Sequence, residues 1–328
     1  MFGAYEFEGR TTVTRDRGSR SQTPVAISPQ AAQLEAIFKA APKQIDLPLP
    51  QKREAGEHAE DLSSEPEDVA YADAPEVKGL WARPAGAREN AAIMYLFGGG
   101  YTISSPKSRR KFAGHLARAA GTLALVPDYA LAPEHPFPGA IESALAAYRF
   151  LLERGFAAGR IVVCGDSSGG GLTAATLLAL KRAGLPLPAG AVPISPWADL
   201  AFTGRSFEPL ASVDLTVTRE GLQRMAADYL GDADPRDPLA SPVFGDFSGL
   251  PPLLVVVGGY EGLLDDAVNL ARQAALGGVD VTLRIWAGMQ HVFPLYAGFL
   301  PEADAAIAMM GNWMDARLGP RPGRGGQP

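Results

Sequence analysis

From position 76 onward, short apolar runs alternate with longer stretches in which apolar side chains return every three to four positions. The runs at 78–84, 91–96, 122–127, 160–164, 190–195 and 252–257 predict strands, and strict alternation at 279–286 predicts another. Most of these runs are apolar throughout, as strands covered on both faces must be. Helical spacing at 107–120, 140–154, 168–183, 263–277 and 302–317 fills the intervals. Strands and helices taking turns predict an α/β fold, with a mostly parallel central sheet covered by helices on both faces.

The rhythm fails in two places. Between 198 and 250 there is one helix candidate, 219–230, with Pro235, Pro238 and Pro242 beyond it, which suits an insertion. Upstream of the sheet, residues 1–27 lack a pattern and are expected to be disordered. Residues 29–39 carry helical spacing in Ala32, Leu34, Ile37 and Phe38, whereas 51–71 is acidic and polar. The segment 28–75 is therefore either a solvated tail or a separate folded piece. The body runs from 76 to 318, and the Gly/Pro-rich residues 319–328 are expected to fray.

Chemistry enters where the run Ile161-Val162-Val163-Cys164 meets Gly165-Asp166-Ser167-Ser168-Gly169 and a helix-favouring stretch. A hydroxyl becomes a nucleophile when it projects clear of the backbone, and a sharp strand-to-helix turn flanked by glycines achieves this. The pentapeptide alone is a common match; strand before and helix behind select Ser167. The strand at 91–96 runs into Phe97-Gly98-Gly99-Gly100-Tyr101, a loop whose amides can approach an oxyanion together with the amide of Ser168. Each such donor is typically worth about 3–4 kcal/mol of barrier. The base should follow the nucleophile in chain order. Of four histidines, His58 lies in the acidic stretch, His115 precedes the nucleophile and His135 is wedged between prolines, leaving His291 in the loop after strand 279–286. For the orienting acid, Glu261 stands in the turn after strand 252–257. Asp265 and Asp266 fall in the first turn of the next helix, where carboxylates complement its dipole.

In this order the motifs resemble the hormone-sensitive-lipase branch of the α/β-hydrolases, and its bacterial family IV carboxylesterases in particular. The resemblance spans roughly 75 to 317. It rests on the glycine loop at 97–101, Asp128-Tyr129-Ala130-Leu131-Ala132-Pro133-Glu134-His135-Pro136-Phe137-Pro138, the elbow at 165–170, Ser195-Pro196-Trp197-Ala198-Asp199-Leu200, Glu261-Gly262-Leu263-Leu264-Asp265, and Gly288-Met289-Gln290-His291-Val292-Phe293. It implies the α/β-hydrolase fold and a serine hydrolase of short carboxylic esters or lactones, with no cofactor and no metal. The triad would be Ser167, Glu261 and His291, with oxyanion donors at Gly99, Gly100 and Ser168. It also implies a helical cap from 28–75 and the insertion 198–250, and a homodimer. Two positions depart from the family: Phe97 stands where relatives carry a loop-bracing His, and Ala130 where they commonly carry Arg. Glu261 replaces the more usual Asp. Other readings of the same fold are a plant-type dehydratase, a degenerate hydrolase, and a small-molecule receptor resembling the gibberellin receptor, which lacks the catalytic histidine.

Composition narrows the partners. With 30 basic and 36 acidic residues the net charge is −6, which offers no basic surface for nucleic acid. The single cysteine, Cys164, excludes an intramolecular disulfide and reads as a small buried hydrophobe. No segment has the length of a membrane span. Arg10, Arg15, Arg17 and Arg20 interrupt any apolar core near Met1, and Glu6, Glu8 and Asp16 argue against a transit peptide, so cytoplasmic residence is expected. Tyr101, Trp197, Phe202 and Phe293 are equally suited to wall a substrate pocket or to fill the core.

Overall fold

The structure, a computed structural model, describes residues 27–41 and 46–320. The expectation for residues 1–26 and for 321–328 lies outside the described residues. Eight strands form one sheet: β1 (Val69–Ala74), β2 (Gly79–Pro84), β3 (Arg88–Leu96), β4 (Thr122–Val126), β5 (Ile161–Asp166), β6 (Gly190–Ile194), β7 (Leu253–Gly258) and β8 (Val281–Trp286). Their order is β1-β2-β4-β3-β5-β6-β7-β8. β1 and β2 pair antiparallel, as do β2 and β4, and all remaining pairs are parallel. β4 to β7 are buried along their whole length, which explains why their sequences lack alternation.

The helices are α1 (Pro29–Ala40), α2 (Leu49–Glu57), α3 (Arg110–Ala120), α4 (Gly139–Glu153), α5 (Ser168–Arg182), the short α6 (Phe207–Leu210), α7 (Arg219–Leu230), α8 (Leu264–Leu276) and α9 (Pro301–Arg317). α5 is buried from Ser168 through Leu180, so it has no polar face to show. α3 packs against α9, and the absent side chain of Gly311 makes room for Ala119.

Several boundaries differ from expectation. The sheet begins at 69 rather than near 76, because the polar stretch supplies edge strand β1. α2 was not anticipated. Gly319 is tied to the body, since its carbonyl accepts from Arg88 Nη1 at 2.6 Å. α1 is docked as well: the Ser28 N–H and hydroxyl donate to the two carboxylate oxygens of Glu302 at 3.0 and 2.9 Å. The parallel strands end together at the carboxyl end of the sheet, where the turns after β3, β5, β7 and β8 meet, as expected for a ligand site in an open parallel sheet.

Candidate active site

Ser167 joins β5 to α5 at φ 53° and ψ −121°, a strained conformation for a residue with a side chain. Its N–H donates to the Ile194 carbonyl at 2.9 Å, which locks the turn to the neighbouring strand. Glycine is required around it. A Cβ on Gly165 would meet the Gly169 carbonyl oxygen at 2.4 Å, and one on Gly169 would meet the Leu96 oxygen at 2.0 Å. Cys164, just upstream, is wholly buried, and burial pushes its thiol well above the usual range.

The structure brings Ser167, His291 and Glu261 into one relay. His291 Nε2 lies 3.0 Å from Ser167 Oγ, and Nδ1 lies 2.6 Å from Glu261 Oε2. A proton on Nδ1 donates to the carboxylate and leaves the Nε2 lone pair facing the hydroxyl. Glu261 is fully buried, and its other oxygen accepts from Ser195 Oγ at 2.8 Å and from the Gly258 N–H. Burial opposes an imidazolium at His291, but the charge and hydrogen bond of Glu261, joined by the charges of Asp214 and Asp166, outweigh it and raise the pKa above 6.5. Asp265 and Asp266 lie outside the relay. Asp265 accepts from the N–H groups of Arg205 and Ser206, and Asp266 from those of Ala198 and Asp199.

The glycine loop faces the same place. Gly99 and Gly100 take φ of 126° and 61°, and a Cβ on Gly100 would collide with Met225 Sδ on α7 at 2.1 Å. The amides of Gly99, Gly100 and Ser168 have no acceptor among the described residues. The amide of Gly98 is already taken, donating to Asp166 Oδ1 at 2.8 Å. Three unpaired donors beside a hydroxyl are poised for an anion. Phe97, fully buried, stacks on Tyr129 with ring centroids 4.2 Å apart, and the Tyr129 hydroxyl donates to the Phe97 carbonyl at 2.7 Å. Packing and a backbone bond thus brace the loop at the position of the family's histidine.

Of the aromatics proposed for a pocket, Tyr101, Trp197 and Phe293 are closed off from solvent at 1%, 0% and 0% exposure, and only Phe202 is half-buried. Tyr101 stacks on Tyr229 at 3.8 Å, and Phe293 packs on Trp286 at 5.4 Å. Those three fill the core, the alternative that the sequence left open.

Several residues near the site escaped the sequence. Ser195 bridges the relay, donating to Glu261 and accepting from Val292 N at 3.1 Å. Arg53 of α2 donates to the Thr102 carbonyl at 2.9 Å and to Glu134 at 2.8 and 2.6 Å, reaching the loop where Ala130 leaves the family's arginine missing. Only the quoted serine motif marked Ser195, and nothing marked Arg53.

Comparison with known proteins agrees with this fold. The family profile described as alpha/beta hydrolase fold matches residues 93–295. An acetyl-hydrolase of Streptomyces hygroscopicus is 46% identical over 239 residues, covering 73% of this chain and 80% of that protein. An esterase of Acinetobacter venetianus is 36% identical over 225 residues, covering 68% and 74%. A crystal structure of an esterase from the bacterial hormone-sensitive lipase family superposes with a TM-score of 0.85 at 41% identity, covering 90% of this chain and 100% of that one. The crystal structure of EstE5 soaked with p-nitrophenyl butyrate gives 0.84 at 40% identity, covering 89% and 99%. With the glycine loop, the elbow and the histidine loop all on that fold, the chain belongs to the α/β-hydrolase family, in its bacterial hormone-sensitive-lipase branch.

Proposed function

We propose that this protein is a serine carboxylesterase that cleaves short-chain carboxylic esters through an acyl-enzyme. The observation that carries the reading is the Ser167–His291–Glu261 relay beside three unpaired amides. His291 removes the proton from Ser167 as its oxygen attacks the ester carbonyl, and the amides of Gly99, Gly100 and Ser168 hold the oxyanion. As the intermediate collapses, His291 returns the proton to the leaving alcohol. Water, deprotonated by His291, then attacks the acyl-enzyme, and the carboxylic acid departs with Ser167 restored. Glu261 holds the imidazole in its working tautomer and stabilises the imidazolium.

The segment 28–75, with helices α1 and α2, and the insertion 198–250 form a cap over this site. Met225 over Gly100 and the Asp46–Arg224 pair at 2.9 Å, which joins the two pieces, support that arrangement. Short acyl groups suit the site because Tyr101 and Trp197 fill the space beside it, and because relatives are an acetyl-hydrolase and an esterase soaked with a butyrate ester. No helix among the described residues is long and apolar enough to cross a membrane. A homodimer and cytoplasmic residence belong to the same reading. β8 supports the dimer as a sheet edge with Ile285 exposed. Sedimentation would test the dimer and cell fractionation the residence.

The direct test uses p-nitrophenyl acetate and butyrate. Ser167→Ala and His291→Ala should each lower turnover by at least about a thousandfold with the fold intact, because nucleophile and base act as a unit. Wild-type activity in folded Ser167→Ala protein would refute the assignment.

A further inference from the structure

The insertion reaches the turn after Glu261 at two places: Ser206 Oγ donates to the Gly262 carbonyl, and residues 213–217 bond both that turn and the loop that carries His291. Asp214 Oδ2 accepts from the N–H of Gly262 at 2.6 Å, and Gly262 directly follows Glu261. Its other oxygen closes a turn on its own segment, accepting from Thr216 N at 2.9 Å, Thr216 Oγ1 at 3.0 Å and Val217 N at 2.9 Å. The carboxylate is therefore held in place from both sides. Gln290, directly before His291 and almost wholly buried, grips the flanking residues: Nε2 donates to the Val213 carbonyl at 2.9 Å and Oε1 accepts from Leu215 N at 2.9 Å. One cap segment is thus bonded to the turn that carries the acid and to the loop that carries the base.

We propose that Asp214 is a positioning residue for ester hydrolysis, fixing the turn of Glu261 and adding a second negative charge that stabilises the imidazolium of His291. The inference rests on the esterase reading for its kinetic consequence. The Asp214 carboxylate bonds Gly262, Thr216 and Val217, and makes no hydrogen bond to Ser167 or His291 among the described residues. It acts through Gly262 and through its field. The charged groups that act on the imidazole are Glu261 from the turn after β7, Asp214 from the insertion and Asp166 from the end of β5. All three are carboxylates, so removing any one should ease deprotonation of the imidazolium. The bonding also makes the cap segment and the relay one unit, in which disturbing the strap disturbs the acid.

The test uses the full-length protein and p-nitrophenyl butyrate from pH 5 to 9, with kcat and KM separated. Asp214→Asn keeps an acceptor for Gly262 and removes the charge. It is expected to lower kcat by about three- to tenfold with KM within about twofold, and to move the acid limb of kcat/KM to lower pH. Asp214→Ala removes acceptor and charge and is expected to lose roughly another tenfold in kcat. Gln290→Met releases the strap with Asp214 intact and is expected to move both readouts in the same direction. It decides the question should Asp214→Asn fail to fold. NMR titration of the His291 imidazole needs no substrate, so a failed esterase reading is told apart from a failed role for Asp214. The imidazole should titrate at lower pH in Asp214→Asn than in wild type. An unmoved titration and acid limb in folded variant, or a change confined to KM, overturns the proposal.

Discussion

Glu261 has an arm one methylene longer than the aspartate usual at its position, and its surroundings absorb the extra length by holding both oxygens. One meets His291, while the other is fixed by Ser195 and the Gly258 amide. Its charge is also what lifts the imidazole above its ordinary pKa against the pull of burial. The base must be neutral to accept the serine proton, so activity should rise with pH through that raised value, above about 6.5. Glu261→Gln removes the opposing charge and leaves burial, so the acid limb should move to lower pH while kcat falls by roughly 10³- to 10⁴-fold. Asp265→Asn should stay within a few-fold, because among the described residues its carboxylate accepts from the amides of Arg205 and Ser206 and does not reach His291. Rate profiles of both variants with p-nitrophenyl butyrate check this, and the reverse ranking would move the acid. At this scale the relay was legible because each member follows a strand in a fixed chain order. Asp214, Ser195 and Gln290 were not, since they act through backbone amides or a hydroxyl far off in sequence, and no spacing rule records such a bond.

The loop after β3 poses the question one level up, because Phe97 removes a hydrogen-bonding brace and the loop keeps its shape. Stacking on Tyr129, the Tyr129 hydroxyl on the Phe97 carbonyl, and Asp166 on the Gly98 amide share the support. None of the three uses a donor assigned to the oxyanion. Phe97→His should therefore change kcat within about tenfold, or roughly 1.4 kcal/mol. Phe97→Ala opens a cavity beneath the loop and should cost about 3–5 kcal/mol of stability, with slower turnover. Denaturant unfolding alongside kinetics separates the two effects. Wild-type protein that is inert towards activated esters and gains turnover only as Phe97→His would show that the loop is broken. Among the elements themselves, buried strands and amphipathic helices were readable because burial on two faces or one leaves a period. β1 was missed for the same reason. Val69-Ala70-Tyr71-Ala72-Asp73-Ala74 is an edge strand with most of its residues exposed or half-buried, so solvent lets its pattern dissolve into the acidic stretch before it. The start of β3 was missed too, where Glu89 and Asn90 are exposed and Arg88, although buried, is charged.

Across the whole molecule, the described residues before β1 bury few apolar side chains, Ala31 and Leu34 chief among them, and lean on polar contacts, which is why the sequence left a solvated tail open beside a folded cap. Arg110–Glu65 and Arg118–Glu67 are exposed pairs worth at most about 1 kcal/mol each. Glu60 differs, because it is 4% exposed and caps α3 from a distant part of the chain. Its carboxylate accepts from Lys111 N at 2.9 Å and from Phe112 N at 2.8 Å, in the first turn, where the helix dipole favours a negative charge. Burial nonetheless dominates over Arg109 and these amides and raises its pKa from 4.5 to about 7. A carboxyl whose folded pKa is raised contributes stability that is fully present below its unfolded value and is lost as pH rises through the folded one. Docking of this segment should therefore weaken between about pH 4.5 and 7, as Glu60 becomes a buried charge. Glu60→Gln keeps one acceptor for the helix and carries no charge to bury, so its stability should lack this slope. Relative to the variant, the wild type should gain Tm as pH is lowered from 8 to 5. A wild-type and variant difference that stays flat over that range would mean that Glu60 is ionised throughout and that the segment is docked without a proton.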